Sequence, residues 1–249
     1  MVCPHGHSCD VARSGYINLL QPQDRRSKRP GDTPAAVAAR RRLHDLGVTG
    51  PLLDGIAELA QASPGDIVLD AGCGDGFYLG SLVRQSGCAG HGVDISIPAV
   101  EAAARRYPPV AAAGGASYEW IVVNADRFVP YADRSFSIVL SITGRMNAAE
   151  FRRVLRDDGR LLVALSAPDD MIELRSRAGK PGRDRVPQTV ETFAPQFKLV
   201  GRSQVSTAAD LDAAAAQDVL LSIYRPLRSQ PVEAMRVTFS LDLLLFRPA

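Results

Sequence analysis

At 249 residues the chain is long enough for one large domain, or for one domain with a small appendage, and its 46% hydrophobic and 22% charged content is that of an ordinary globular protein. No apolar run approaches the roughly 20 residues that span a bilayer, no secretory signal follows Met1, and four scattered cysteines make no disulfide framework, so a cytoplasmic protein without a membrane partner is expected. The formal net charge is only +2, yet residues 1–50 carry eight Arg or Lys against four Asp or Glu, while residues 51–249 carry twenty-one against twenty-three.

Residues 1–33 are rich in turn formers and charges and show little periodicity. Thr33 is a suitable N-cap with Pro34 at the first helical position, so a helix is expected from Pro34 to about Leu46, stopped by Gly47. Pro51 opens a second helix with Leu52, Leu53, Ile56, Leu59 and Ala60 at core spacing, ending before Pro64-Gly65. Strands near 66–70, 89–93, 119–123, 136–142 and 159–165 then alternate with helices near 76–86, 97–106 and 147–155, the signature of a parallel α/β sheet. Asp157-Asp158-Gly159 reads as a tight turn into the fifth of these strands. The stretch 168–187 holds Arg175, Arg177, Lys180, Arg183 and Arg185, interrupted by Gly179, Pro181 and Gly182, and reads as a mobile basic lid or an exposed loop. A strand near 198–205, a helix near 209–220 and a long apolar strand from Arg236 to Phe246 complete the chain.

The run Asp70-Ala71-Gly72-Cys73-Gly74-Asp75-Gly76 carries the most chemistry. It closes the short apolar segment Ile67–Leu69, and its three alternate glycines let the backbone turn sharply and approach a ligand. A second apolar segment ends on Asp94, twenty-four residues after Asp70, close to the spacing of a ribose-binding carboxylate. A dinucleotide site would place Gly-x-Gly-x-x-Gly here to seat a pyrophosphate on a helix N-terminus. An acid in that turn repels phosphate and attracts a cationic amine. The pattern resembles that of class I methyltransferases, whose S-adenosylmethionine carries an ammonium and a sulfonium and no phosphate. The resemblance implies a Rossmann-like α/β fold: a seven-stranded sheet with helices on both faces, its last strands antiparallel, plus a small irregular N-terminal extension. Residues 1–33 would form that extension and residues 34–249 the methyltransferase domain. It also implies that Asp94 accepts from the ribose hydroxyls and that Asn124-Ala125-Asp126, after the third strand, holds the adenine.

The N-terminal third narrows the family. Cys3-Pro4-His5-Gly6-His7, Asp10-Val11-Ala12, Gly15-Tyr16-Ile17-Asn18-Leu19-Leu20, Gly31-Asp32-Thr33, Ala39-Arg40-Arg41-Arg42 and Gly50-Pro51-Leu52 resemble bacterial 23S ribosomal RNA guanine-N1 methyltransferases. So do Cys73-Gly74-Asp75-Gly76-Phe77-Tyr78 and Glu173-Leu174. By this resemblance the cofactor set is Thr49, Asp70, Gly72, Gly74, Asp75, Tyr78, Asp94, Ile95, Asn124, Ala125 and Asp126. The family begins with a zinc ribbon built from two ligand pairs, of which the chain offers one, Cys3 and His7. His5 and Cys9 would complete four ligands only as a cramped knot within seven residues, so bound zinc is not expected. Thr49 stands where the family has a tyrosine and Asp170 where it has a histidine, two changes in the pocket wall.

Methyl transfer to guanine N1 requires loss of the N1 proton, and a carboxylate in a closed pocket suits that task. Asp170 is the first candidate base, with Glu173 and Asp169 behind it; Tyr16 and Tyr78 are candidates for stacking on a flipped base. Arg25-Arg26-Ser27-Lys28-Arg29, Arg40-Arg41-Arg42 and the loop 175–185 would contact RNA phosphates. The expected partner is therefore ribosomal RNA, with a small purine-like heterocycle as the alternative acceptor; a homodimer is left open.

Overall fold

The computed structural model describes residues 11–21, 23, 30–109, 117–144, 146–223 and 232–249. In chain order the elements are β1 (Ile17–Asn18), α1 (Pro34–Asp45), α2 (Gly50–Ala60), β2 (Ile67–Ala71), α3 (Phe77–Ser86), β3 (Ala89–Asp94), α4 (Ile97–Arg106), β4 (Ser117–Val122), β5 (Phe136–Ile142), α5 (Ala148–Val154), β6 (Leu155–Ser166), α6 (Ile172–Arg177), α7 (Val186–Phe193), β7 (Phe197–Leu211), α8 (Ala213–Ser222) and β8 (Met235–Pro248). The helix starts follow local chemistry. Thr33 Oγ1 accepts from Ala36 N at 3.2 Å, Ser96 Oγ from Ala99 N at 3.3 Å and Asp212 Oδ1 from Ala215 N at 2.8 Å, each satisfying a first-turn amide. Gly76 and Gly87 bracket α3 at φ of 76° and 74°, where an L side chain is strained.

One sheet organises everything, in the order β1-β4-β3-β2-β5-β6-β8-β7. The first six strands run parallel, and β8 inserts antiparallel to both β6 and β7. The seven strands expected are present, and Ile17–Asn18 adds an eighth beside β4, drawn from the segment read as irregular extension. Alternate residues enter opposite layers. Val68, Ile138, Leu140 and Leu162 meet α2, α3, α4 and α8 on one face. Leu69, Val139, Leu161 and Val163 meet α5 and α7 on the other. Phe151, Phe193, Phe197 and Phe246 fill that second layer with stacked and edge-on contacts at 5.3–6.5 Å, each burial contributing about 2–3 kcal/mol.

Three local expectations are corrected. Asp157-Asp158-Gly159 does not precede β6 but lies inside it, since the strand begins at Leu155 against Phe136. The helix expected near 209–220 begins only at Ala213, because Ala208 through Leu211 pair with Thr238 through Met235 and sheet pairing overrides alanine's helical preference. The stretch 168–187 is not all loop; it contains α6 and the start of α7.

The parallel centre is tightest beneath the glycine turn. A Cβ on Gly92 would lie 2.3 Å from the Trp120 ring, and one on Gly76 would lie 2.6 Å from it. Trp120 is fully buried, donates from Nε1 to Tyr107 O at 2.8 Å and stacks on Tyr118. Gly92→Ala should therefore destabilise the fold by about 1–3 kcal/mol in urea unfolding. Adding Trp120→Phe to that variant should recover part of the loss. An unchanged midpoint in Gly92→Ala alone would show that the ring yields freely.

Candidate active site

The chain folds back on itself at the centre of the sheet: β2 leads outward on one side to β3 and β4, and on the other to β5 and β6. In open α/β sheets this switch point leaves a crevice at the carboxyl ends of the strands. A cavity of about 820 Å³ opens there, lined by residues that follow β2, β3, β4, β5 and β6 and by α1, α8 and β8.

The turn after β2 is fixed by its neighbours. Gly72 and Cys73 both donate to Val93 O, at 2.8 and 3.1 Å, so the turn lies flat on the end of β3. Gly74 N and Ser96 N then donate to the two oxygens of Asp94, at 3.0 and 2.8 Å. Ser96 Oγ donates to Asp32 O at 2.9 Å, and a Cβ on Gly31 would lie 2.6 Å from Ser96 Cβ. Gly31 and Asp32 thus wall the cavity as a strap from the N-terminal segment.

Asp70, Asp75, Asp94 and Asp170 all line this one cavity. Burial, with Asp94 beside it, pushes the Asp70 carboxyl up to about 8. Burial also raises Asp94, against the pull of its backbone donors, and Asp75, against Arg40 and Arg106. Asp70 Oδ1 and Asp75 Oδ2 are buried with no hydrogen-bond partner. Arg40 is the half-buried counter-cation: its Nη1 reaches Asp32 Oδ2 at 2.6 Å and its Nη2 donates to Ser222 O at 2.8 Å. The His44 ring stacks on Phe77 with centroids 3.8 Å apart, and its Nδ1 lies 2.7 Å from Thr49 Oγ1. Burial and the cations Arg40 and Arg106 hold His44 down to about 3, so it is neutral beside Asp75 at 3.9 Å.

The far wall is built differently. Asp170 follows β6 and is 5% exposed; Ser240 N donates to its Oδ1 at 3.1 Å. Arg175 Nε donates to Asp170 O at 2.8 Å, and its Nη2 stands 4.0 Å from Asp170 Oδ2. Burial raises the Asp170 carboxyl above its ordinary range. Met171, Phe239 and Leu241 add apolar surface, and Arg183 and Arg185 join Arg175 along the rim. A Cβ on Gly182 would collide with Pro168 O, so the basic loop rests directly on the backbone before Asp170.

The cavity gathers Thr49, Asp70, Gly72, Gly74, Asp75, Tyr78, Asp94, Ile95, Asn124, Ala125 and Asp170, as the sequence led us to expect. It does not gather Asp126 or Glu173. Asp126 is exposed beyond the turn after β4, with its main-chain N–H donating to Asn124 Oδ1 at 3.1 Å. The Glu173 carboxylate faces β8, accepting from Thr238 N at 3.0 Å and Thr238 Oγ1 at 2.7 Å. Asp169 accepts from Gln204 at 3.0 Å, and Tyr16 is half-buried against the core. The triplet Arg40-Arg41-Arg42 is split by the fold, with Arg41 and Arg42 exposed. Arg40 is consumed inside the cavity wall, and Arg42 is held by both oxygens of Asp218 at 2.7 and 2.5 Å. Cys3, His5, His7 and Cys9, with Arg25, Arg26, Lys28 and Arg29, lie outside the described residues. Among the described residues no group of three His, Cys, Asp or Glu is placed to hold a metal ion. No helix among them is long and apolar enough to cross a membrane.

Sequence reasoning missed Asp32, His44 and the turn Thr143-Gly144. Thr143 has φ of 49°, and a Cβ on Gly144 would lie 2.7 Å from Ala71 O, so this turn presses on the end of β2. A Thr-Gly pair closing an apolar strand was the available signal.

Comparison with other proteins agrees with this geometry. A methyltransferase-domain family model matches residues 68–163, and a model described as the RlmA N-terminal region matches residues 1–28. A 23S rRNA (guanine(748)-N(1))-methyltransferase from Streptomyces fradiae is 35% identical over 222 residues, 84% of this chain and 74% of the relative. A protein from Micromonospora griseorubida described as a putative 23S rRNA (guanine-N(1)-)-methyltransferase is 32% identical, over 81% of this chain and 71% of that one. In fold, the chain matches an S-adenosylmethionine-dependent methyltransferase from Thiobacillus denitrificans, solved with S-adenosylhomocysteine, at a TM-score of 0.52 and 15% identity over 79% of this chain and 90% of that one.

The two adjacent arginines of α1 should behave oppositely. Arg40→Gln leaves Asp32 without its cation, deprives Asp75 and Asp94 of the same charge, and should cost about 3 kcal/mol of stability. Arg41→Gln removes only an exposed ion pair with Asp45 at 3.8 Å and should stay within about 0.5 kcal/mol of the parent in the same denaturant titration. Equal effects would remove Arg40 from its structural role.

Proposed function

The chain belongs to the family of bacterial 23S ribosomal RNA guanine-N1 methyltransferases, and from that premise we propose that its acceptor is N1 of a guanine in large-subunit ribosomal RNA. S-adenosylmethionine supplies a methyl group on a sulfonium and leaves as S-adenosylhomocysteine. One observation supports this reading: a cavity lined by three buried carboxylates and half-buried Asp94, two of the four with an unpartnered oxygen, is complementary to a ligand that is cationic and phosphate-free.

In this reading Asp70, with Thr49 and Tyr78 nearby, faces the cationic amino-acid end of the cofactor. Asp94 still has lone pairs for two ribose hydroxyls after accepting from Gly74 and Ser96, since an ionised carboxylate offers about four acceptor sites. Ile95, Asn124 and Ala125 hold the adenine without Asp126, which lies outside the cavity. Asp170 takes the N1 proton of the guanine; burial raises its carboxyl, the direction that strengthens a base. Arg175, Arg183 and Arg185 supply a cationic rim of the kind a polyanion needs and a small heterocycle does not.

Purified protein with labelled S-adenosylmethionine should methylate unmodified 23S ribosomal RNA at a single guanine, detected as 1-methylguanine after digestion. Label confined to small heterocycles assayed in parallel would sink the RNA reading and leave the cofactor site standing. Asp94→Ala should weaken cofactor binding whatever the acceptor.

Cofactor affinity should also depend on pH with a definite sign. Below about 8 the free Asp70 carboxyl holds a proton that must leave before it can pair with an ammonium. The dissociation constant should therefore fall as pH rises toward that value, until the ligand's own ammonium, which titrates near 8 as an ordinary α-amino group, loses its proton. Asp70→Asn should bind more weakly and lose the slope; a retained slope would assign it to another group. Neutralising Arg183 and Arg185 together should reduce the slope of log affinity for RNA against log salt by about 0.7 for each phosphate they had neutralised.

A further inference from the structure

We infer that Arg175 is a further catalytic residue, pairing with Asp170 to recognise the N1–H and O6 edge of guanine and to carry the charge that develops on O6 as N1 loses its proton. The inference rests on the guanine-N1 reading above and adds a residue to it.

The geometry separates Arg175 from the other rim arginines. Its Nε is anchored on Asp170 O at 2.8 Å, so the guanidinium is held against the residue that carries the candidate base. Its Nη2 is 4.0 Å from Asp170 Oδ2, too far for a hydrogen bond. Asp170 Oδ1 already accepts from Ser240 N. Ser166 also donates to this carboxylate, which as an anion offers about four acceptor sites, so acceptor capacity remains beside the Nη2 donor on residues that both line the cavity. Tyr78, Asp70 and Asp75 of the glycine turn line the same cavity as this pair.

An acceptor beside a cationic donor is complementary to guanine, which presents its N1–H donor next to its O6 acceptor. Adenine presents the reverse order, an N1 acceptor next to an amino donor, and meets the same pair with both groups mismatched. The pair also fits the chemistry. The N1–H bond breaks, the proton bonds to Asp170 Oδ2, and the electron pair stays on the ring, shared between N1 and O6. Arg175 donates to O6 without giving up its own proton, which stabilises the anion and leaves N1 nucleophilic. Placing a fixed cation where negative charge develops is the strongest kind of electrostatic help available in a closed site. Arg183 and Arg185 have no such anchor and remain suited to phosphates.

The test uses the full chain with an RNA fragment carrying the target guanine. Arg175→Ala should lower kcat by roughly a hundredfold, with RNA and cofactor dissociation constants changed by less than about threefold. Its log kcat should keep rising to higher pH than in the parent, because N1 ionisation has become harder. Arg175→Lys should restore part of the rate and guards against a folding defect, checked by its melting temperature. Replacing the target by 6-thioguanine makes N1 more acidic and puts a poor acceptor at position 6. The gap between parent and Arg175→Ala should then close to within a few-fold. A raised KM with unchanged kcat would make Arg175 a phosphate contact and overturn the inference, as would a gap undiminished on 6-thioguanine. A parent enzyme that methylates no guanine overturns the inference together with the reading beneath it; loss of the inference alone leaves a parent active on guanine.

Discussion

Asp70, Asp75 and Asp170 are buried around one cavity with half-buried Asp94 beside them, a placement that is unfavourable for each ionised form and worse for the group. The surrounding architecture counters this charge. Two backbone amides hold Asp94, a third holds Asp170, and Arg40 brings a guanidinium into the wall. Arg40 does so by joining the strap at Asp32 to the end of α8 at Ser222. The residual imbalance is a standing demand for a cationic ligand, and it explains why a fold shared with nucleotide-binding proteins takes a sulfonium here.

The two sides of the site meet that demand with opposite materials. The glycine turn and the end of β3 are acidic, braced from below by Trp120 and from above by Ser96 and Gly31. The wall after β6 is a carboxylate beside arginines on a loop propped against Pro168. The first arrangement suits a small cation and the second a polyanion, so the two walls of one cavity favour ligands of opposite charge.

Much of this was legible in the sequence because it depends on local spacing. The three glycines after Asp70, the acid closing β3 and the Pro-capped helices each announce themselves within a few residues. The N-terminal motifs supplied the family. What was hidden depends on contacts across the fold. Arg40 reads as one of three basic residues in a row until Asp32, eight residues before it, and Ser222, far along the chain, close on it. Glu173 reads as a neighbour of Asp170, but one turn of α6 aims it at Thr238 instead. The chain from Ala208 to Leu211 looks helical, and only its pairing with β8 makes it strand. His44 gave no signal, since a lone histidine on a helix acquires meaning only through Phe77 and Thr49.

Trp120 is the only tryptophan in the chain, and its ring lies against both Gly92 and Gly76. The indole fluorescence of this protein therefore comes from a single emitter, buried directly under the turn that frames the cavity. Tyr118 stacks on it at 6.0 Å and Tyr107 lies 6.3 Å away, so excitation of either phenol is funnelled to the same point. The molecule carries a built-in optical gauge whose colour reports the dryness of that turn and is silent about the distant β7 edge.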